Sequence, residues 1–148
     1  MNLGMKKVIL CGVTSCFFAI SSVQTVSAAD EREIIWVSAE EKSVLLAEMR
    51  SFLEATQQIL EGSLADDMDV IEQAARPVGV KMMKATPKSL HEKLPVGFTA
   101  IGPKAHKGFE SIANEAMGMG DREEVLQQLA ELQKTCIQCH SMYRLEVK

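Results

Sequence analysis

Aromatic residues are scarce in this chain of 148 residues: one Trp, one Tyr and five Phe make up 5% of it. Nine Met stand against them, which points to a pliable aliphatic interior rather than an aromatic one. Positive charge is also in deficit, with 16 basic against 20 acidic residues and a net charge of −4. That balance argues against a nucleic-acid binder and gives no basic patch for anionic lipid. The apolar run over residues 8–20 falls short of the roughly 20 residues that a membrane span needs. No stretch alternates with a period of two and no β-branched cluster sits between turn signals, so strands are not expected. Internal repeats, low-complexity tracts and linkers are missing as well, and the length suits one domain at roughly 150 residues per domain.

The four cysteines fall into two pairs, Cys11 with Cys16 and Cys136 with Cys139. The first pair lies in a stretch that reads as a secretory signal over residues 1–29. Lys6 and Lys7 are its positive start, residues 8–20 its uncharged apolar part, and Ser27-Ala28-Ala29 its small-residue cleavage site. A second reading takes Val13-Thr14-Ser15-Cys16 as a lipoprotein site that leaves Cys16 as an acylated N-terminus, although Phe17, Phe18 and Ile20 continue the apolar run beyond it. Cleavage after Ala29 removes two lysines and no acid, so residues 30–148 carry a charge of −6. They hold two cysteines, in an oxidising compartment expected to be the periplasm.

From Ser38 on, the pattern is helical. Ser38 and Glu41 form a capping box, and Leu45, Met49, Phe52, Thr56 and Ile59 recur at spacings of three and four up to a stop at Gly62. Asp66 caps a second helix through Val70, Ile71 and Ala74 toward Met83, with Pro77 kinking or breaking it. After a loop punctuated by Pro87, Pro95 and Gly97, a third helix carries Phe98, Ile101, Ala105, Phe109, Ile112 and Ala116, with Pro103 near its first turns. Gly118 and Gly120 end it. Asp121 caps a fourth helix whose stripe is Val125, Leu129, Leu132, Cys136, His140 and Tyr143. Four helices of about 20 to 25 residues, each roughly 30–37 Å long, predict an all-α, antiparallel up-down-up-down four-helix bundle.

The chemistry is concentrated in Cys136-Ile137-Gln138-Cys139-His140, the attachment motif of a c-type haem. Helical positions i, i+3 and i+4 share one face. Two thiols so placed can each add to one vinyl group of the porphyrin, and the next imidazole can reach the iron as proximal ligand. A simple disulfide or a redox pair is the alternative, but a thioredoxin-like redox pair sits at a helix N-terminus in a βαβ setting. A zinc site would need four ligands, and only His91 and His106 remain to join. There is no positioned nucleophile–base pair and no acidic metal cluster, so no enzyme activity is expected.

A haem motif at the end of four helices resembles the class II c-type cytochromes, the cytochrome c′ family. Gly120-Asp121, the helical run to Cys136, the motif itself and Tyr143-Arg144 are similar to that family's last helix. Counting back from Gly62 puts Leu46 at the family's distal place and Lys42 where it has an arginine. The resemblance implies one covalent haem c held by Cys136 and Cys139, with His140 on the iron. Leu46 over the iron implies a five-coordinate site open to small gases such as nitric oxide. Met49, one turn further on, implies instead a six-coordinate His/Met electron carrier. Arg144 is expected on the His140 face one turn on, where it tunes the imidazole or meets a propionate, and Lys42 is expected to pair with a propionate. His106 is a conceivable sixth ligand better read as a rim residue, and His91 a surface one. The expected function is single-electron transfer between periplasmic or membrane-bound redox proteins, with gas binding as the alternative. The family's homodimers form through the first two helices, and Pro77 interrupts the second of these here.

Overall fold

Ser38 opens the first long helix as its sequence suggests. Its hydroxyl accepts from the Glu41 amide at 3.2 Å, while the Glu41 carboxylate accepts from the Ser38 amide at 2.8 Å. In the computed structural model, which describes residues 29–118 and 120–148, helix α1 then runs Ala39–Ala65. The expected signal segment and its two cysteines lie outside the described residues, apart from Ala29. The chain divides into two units, Met1–Asp30 and Glu31–Lys148, and every described helix and strand belongs to the second. Leu45, Phe52, Ala55 and Ile59 are buried and form the inward stripe of α1.

Gly62 does not stop α1. It lets the next helix approach, since a Cβ there would stand 2.7 Å from the Ile71 side chain. The stop is Asp66, which takes the left-handed conformation at φ 56° and donates its amide to the Gly62 and Ser63 carbonyls. Asp67, rather than Asp66, caps α2 (Met68–Ala75) by accepting from the Val70 amide at 3.1 Å. Pro77 then breaks the helix as expected, into a 3₁₀ turn at Arg76–Val78 and a short α3 (Val80–Ala85). Arg76 pins this bend to the next long helix, bonding Glu72 at 2.8 Å and Glu110 at 2.7 Å, while Glu110 also accepts from the Val80 amide.

The segment after Pro87 contains one helical turn, α4 (Lys88–His91), which buries Leu90. Helix α5 spans Val96–Met117. Pro103 lies in its interior and not in its first turns, because the helix starts directly after Pro95. Helix α6 (Arg122–Met142) is capped by Asp121, whose carboxylate accepts from the Glu123 amide at 2.8 Å.

Two strands correct the purely helical expectation. β1 (Glu33–Val37) pairs in parallel with β2 (Tyr143–Val147), Glu33 opposite Tyr143 and Val37 opposite Val147. The physical signal is a period of two over only five residues. Ile35 and Val37 are buried on either side of an exposed Trp36, and Tyr-Arg-Leu-Glu-Val alternates in residue type, although only Tyr143 of it is buried and Val147 is exposed. The second run hides in the sequence because Tyr143 extends the helical spacing of His140. Consequently Tyr143 and Arg144 belong to a strand, and Arg144 is not one helical turn beyond His140.

The protein is chiefly helical. α1 packs on α2, α2 on α5, α5 on α6, and α6 returns to α1. One apolar core lies among these helices, around Phe52, Ile59, Ile71, Phe109, Ile112 and Val125. A second joins the strands to the ends of the helices through Ile35, Val37, Leu45, Leu90, Ile101 and Tyr143. Met49 packs on the first core, and Phe98 and Cys139 pack on the second, so the residues of interest occupy the seam between the two. Among the described residues, no helix is long and apolar enough to cross a membrane.

Candidate functional site

The last two turns of α6 carry the motif, with Cys136, Cys139 and an exposed His140 lining one cavity. Cys136 and Cys139 are half-buried, while Ile137 and Gln138 between them face solvent. Both cysteines are free thiols. Burial pushes both thiols above the ordinary cysteine range, and for Cys139 the neighbouring Cys136 adds to the effect. A dithiol built for redox exchange needs the opposite shift, toward thiolate at a helix N-terminus. These thiols are instead poised as protonated, apolar-walled groups near a helix C-terminus.

Across from them, α1 and α5 complete a narrow apolar cavity. Met49, Phe52, Phe98, Cys136, Cys139 and His140 are among its lining residues. It shares Met49, Phe98, Cys139 and His140 with a wider groove of about 280 Å³, which Lys42, Leu45, Leu46, Tyr143 and Leu145 also line. Three cationic side chains, Arg32, Lys42 and Arg144, belong to the same groove. The wider part alone is near the lower end of the roughly 300–1,000 Å³ common for small-molecule sites.

This donor set fits a haem. Aliphatic and phenyl walls suit a flat macrocycle, half-buried thiols suit thioether links, His140 supplies an imidazole, and the cations suit two carboxylates. Leu46 and Met49 both reach the groove, but they differ in setting. Leu46 is 40% exposed, whereas Met49 is partly buried against the main core and lines both parts of the site. Arg144 pairs with Glu146 on its own strand, so its guanidinium is brought to the groove by β2 and not by α6. Among the described residues, no three His, Cys, Asp or Glu side chains gather into a cation site.

His106 is not the rim residue that its offset in the stripe implies. It is 4% exposed, edge-on to the Phe52 ring at a centroid distance of 5.0 Å. Its Nδ1 lies 3.0 Å from the Val78 carbonyl and its Nε2 3.4 Å from a Glu48 carboxylate oxygen. Only the imidazolium can donate to both at once. Burial is the largest influence and disfavours the charge, but Glu48 and the backbone of Val78 and Gly79 together outweigh it, and the pKa is raised above its ordinary value of 6.5. A raised folded-state value gives stability that is fully present below the unfolded value and fades as the pH climbs through the folded one. His106→Gln should therefore cost more unfolding free energy in urea at about pH 5.5 than at about pH 8.5. Equal losses at both would show that the pair is not charged. His91 is exposed, as expected for a surface residue.

Arg32 joins the site without any signal in the sequence around it. It lies 108 positions from His140 in the chain, and only the strand pairing brings it to the groove. Comparison of the chain with protein-family models, with curated proteins and with solved structures finds no match.

Proposed function

We propose that the protein is a monohaem c-type cytochrome of the class II kind, a periplasmic carrier of single electrons between redox partner proteins. The observation that carries this reading is that Met49, Cys136, Cys139 and His140 line one apolar cavity. The cyclic order of neighbours α1, α2, α5, α6 supports a four-helix bundle in which the broken α2–α3 segment is the second member. A covalently held haem would supply a one-electron iron couple.

The chain's own residues then divide the work. Cys136 and Cys139 would anchor the macrocycle by thioethers, and His140 would hold the iron. Met49 offers a thioether from α1, which favours the reduced iron and raises the potential. Leu45, Leu46 and Phe98, which line the groove, would keep water from the macrocycle, while Lys42 and Arg144 would serve its carboxylates as a compact ammonium and a planar fork respectively. Gas binding at a five-coordinate iron is the second reading, favoured by one observation: Leu46 lines the same groove and could cover the open side.

Optical spectra of the purified mature protein, oxidised and reduced, test both readings. A low-spin spectrum with a methionine–iron charge-transfer band is expected, and Met49→Leu should convert it to high spin. A wild-type spectrum that is already high-spin and shifts with nitric oxide would replace electron transfer by gas binding. Colourless protein from a haem-competent periplasm would remove both.

A further inference from the structure

We infer that residues 32–37 form a positioning clamp for the ligand-bearing end of α6, with Arg32 as its contact to His140. What the clamp serves depends on the haem reading, while the clamp itself stands on geometry.

A helix C-terminus leaves its last carbonyls without helical partners. In α6 the Cys139 carbonyl accepts from the Tyr143 amide. The His140 carbonyl accepts from Arg32 Nη1 at 3.3 Å, across 108 positions of sequence. A guanidinium there also meets the negative end of the helix dipole. The proximal ligand's own backbone is thus held from outside its helix.

The register of the strand pair fixes where Arg32 falls. It directly precedes Glu33, which stands opposite Tyr143, so the guanidinium starts at the level where α6 ends. A slip by one residue would turn Ile35 and Val37 out of the core, and each is only 2% exposed. Tyr143 transmits the hold to the groove wall. It is buried and packs edge-on to Phe98 at a centroid distance of 5.7 Å. Phe98 in turn lines both parts of the site. The start of α5 is shaped to receive that tyrosine, since a Cβ on Gly97 would stand 2.2 Å from its hydroxyl. The N-terminal strand, the last turn of α6 and one wall of the groove are therefore a single packed unit.

The test uses the full protein with Arg32→Ala, Arg32→Lys and Ile35→Ala. Covalent haem content, the reduction potential and backbone amide exchange are measured for each. Arg32→Ala should keep its haem and shift the reduction equilibrium three- to tenfold toward the oxidised form, or about 30–60 mV for one electron. Amides at residues 141–143 should exchange at least threefold faster, with α1 and α5 unchanged. Arg32→Lys, which keeps the charge and a donor, should recover most of both effects. Ile35→Ala, which leaves Arg32 in place but loosens its strand, should reproduce them. Unchanged exchange at residues 141–143 in Arg32→Ala would overturn the clamp, leaving Arg32 as a charge only. Equal acceleration throughout α1 and α5 would overturn it too, as a general loss of stability. If the wild type carries no haem, the proposed function fails, and the exchange data still decide whether the clamp exists.

Discussion

Replacing Cys136 and Cys139 together by Ala is expected to abolish covalent haem, leaving protein that gives up all its colour to acidic acetone. The reason lies in bond type. On the proposed reading, two thioethers would hold the macrocycle irrespective of the redox state of the iron when both thiols are present. Without them only His140 and the groove contacts would remain to hold it, and the groove is partly exposed at Leu46. The single variants are informative in a different way. Each should retain the haem by one thioether, and the unreacted vinyl group should move the alkaline pyridine band to longer wavelength. Met49→Leu, by contrast, should leave covalent haem intact and alter only the spin state. Extraction-resistant haem in the double variant would show that these cysteines are not the anchors.

Phe109→Ala should be the most destabilising single change in the helical core. The side chain is fully buried, with 0% exposure, and stacks on Phe52 at a centroid distance of 5.2 Å and 27° between planes. Removing a buried Phe costs about 3–5 kcal/mol, combining lost transfer free energy with a residual cavity. The lost ring pair accounts for about 0.5–1.5 kcal/mol beyond area burial. Phe52 also meets His106, so the ring lies at one end of a chain of contacts that reaches Glu48 on α1. A protein of this size should lose roughly 10 °C or more in Tm, read by circular dichroism at the helical minimum. A loss below about 1 kcal/mol would mean that the neighbouring side chains close the space, which the packing of α5 against α2 and α6 does not favour.

The features legible in the sequence are those whose physics is local. Ser38 with Glu41, and Asp121 ahead of Glu123, are hydrogen-bonded caps within one turn, so their residue types suffice to find them. The 3–4 spacing of Phe98, Ile101, Ala105 and Phe109 marks a buried stripe for the same reason, and Pro77 breaks its helix by its own chemistry. The motif of two thiols and an imidazole is likewise confined to five residues. What stayed hidden depends on partners far along the chain. Gly62 resembles a helix stop, yet its lack of a side chain serves contact with Ile71. His106 reads as a rim residue because Val78 and Glu48, which satisfy it, come from other elements. β2 is disguised as the tail of α6 because five alternating residues have no meaning until β1 lies beside them. The choice between Leu46 and Met49 rests on less than one helical turn, and tertiary packing rather than residue type distinguishes them.

The parallel strand pair also has a bearing on the order of folding. β1 is synthesised near the beginning of the described residues and β2 at their end, so their pairing closes nearly all of the described residues into one loop. Contacts of that separation are the slowest to form, because the entropy of closure must be met before any bond rewards it. Helix α6 and its neighbours, stabilised by nearer contacts, can assemble first. Until the strands meet, the end of α6 lacks both the Arg32 bond to the His140 carbonyl and the ladder that begins at Tyr143. The two strands thus act as a latch in time as well as in space, shutting only after the C-terminal helix has formed.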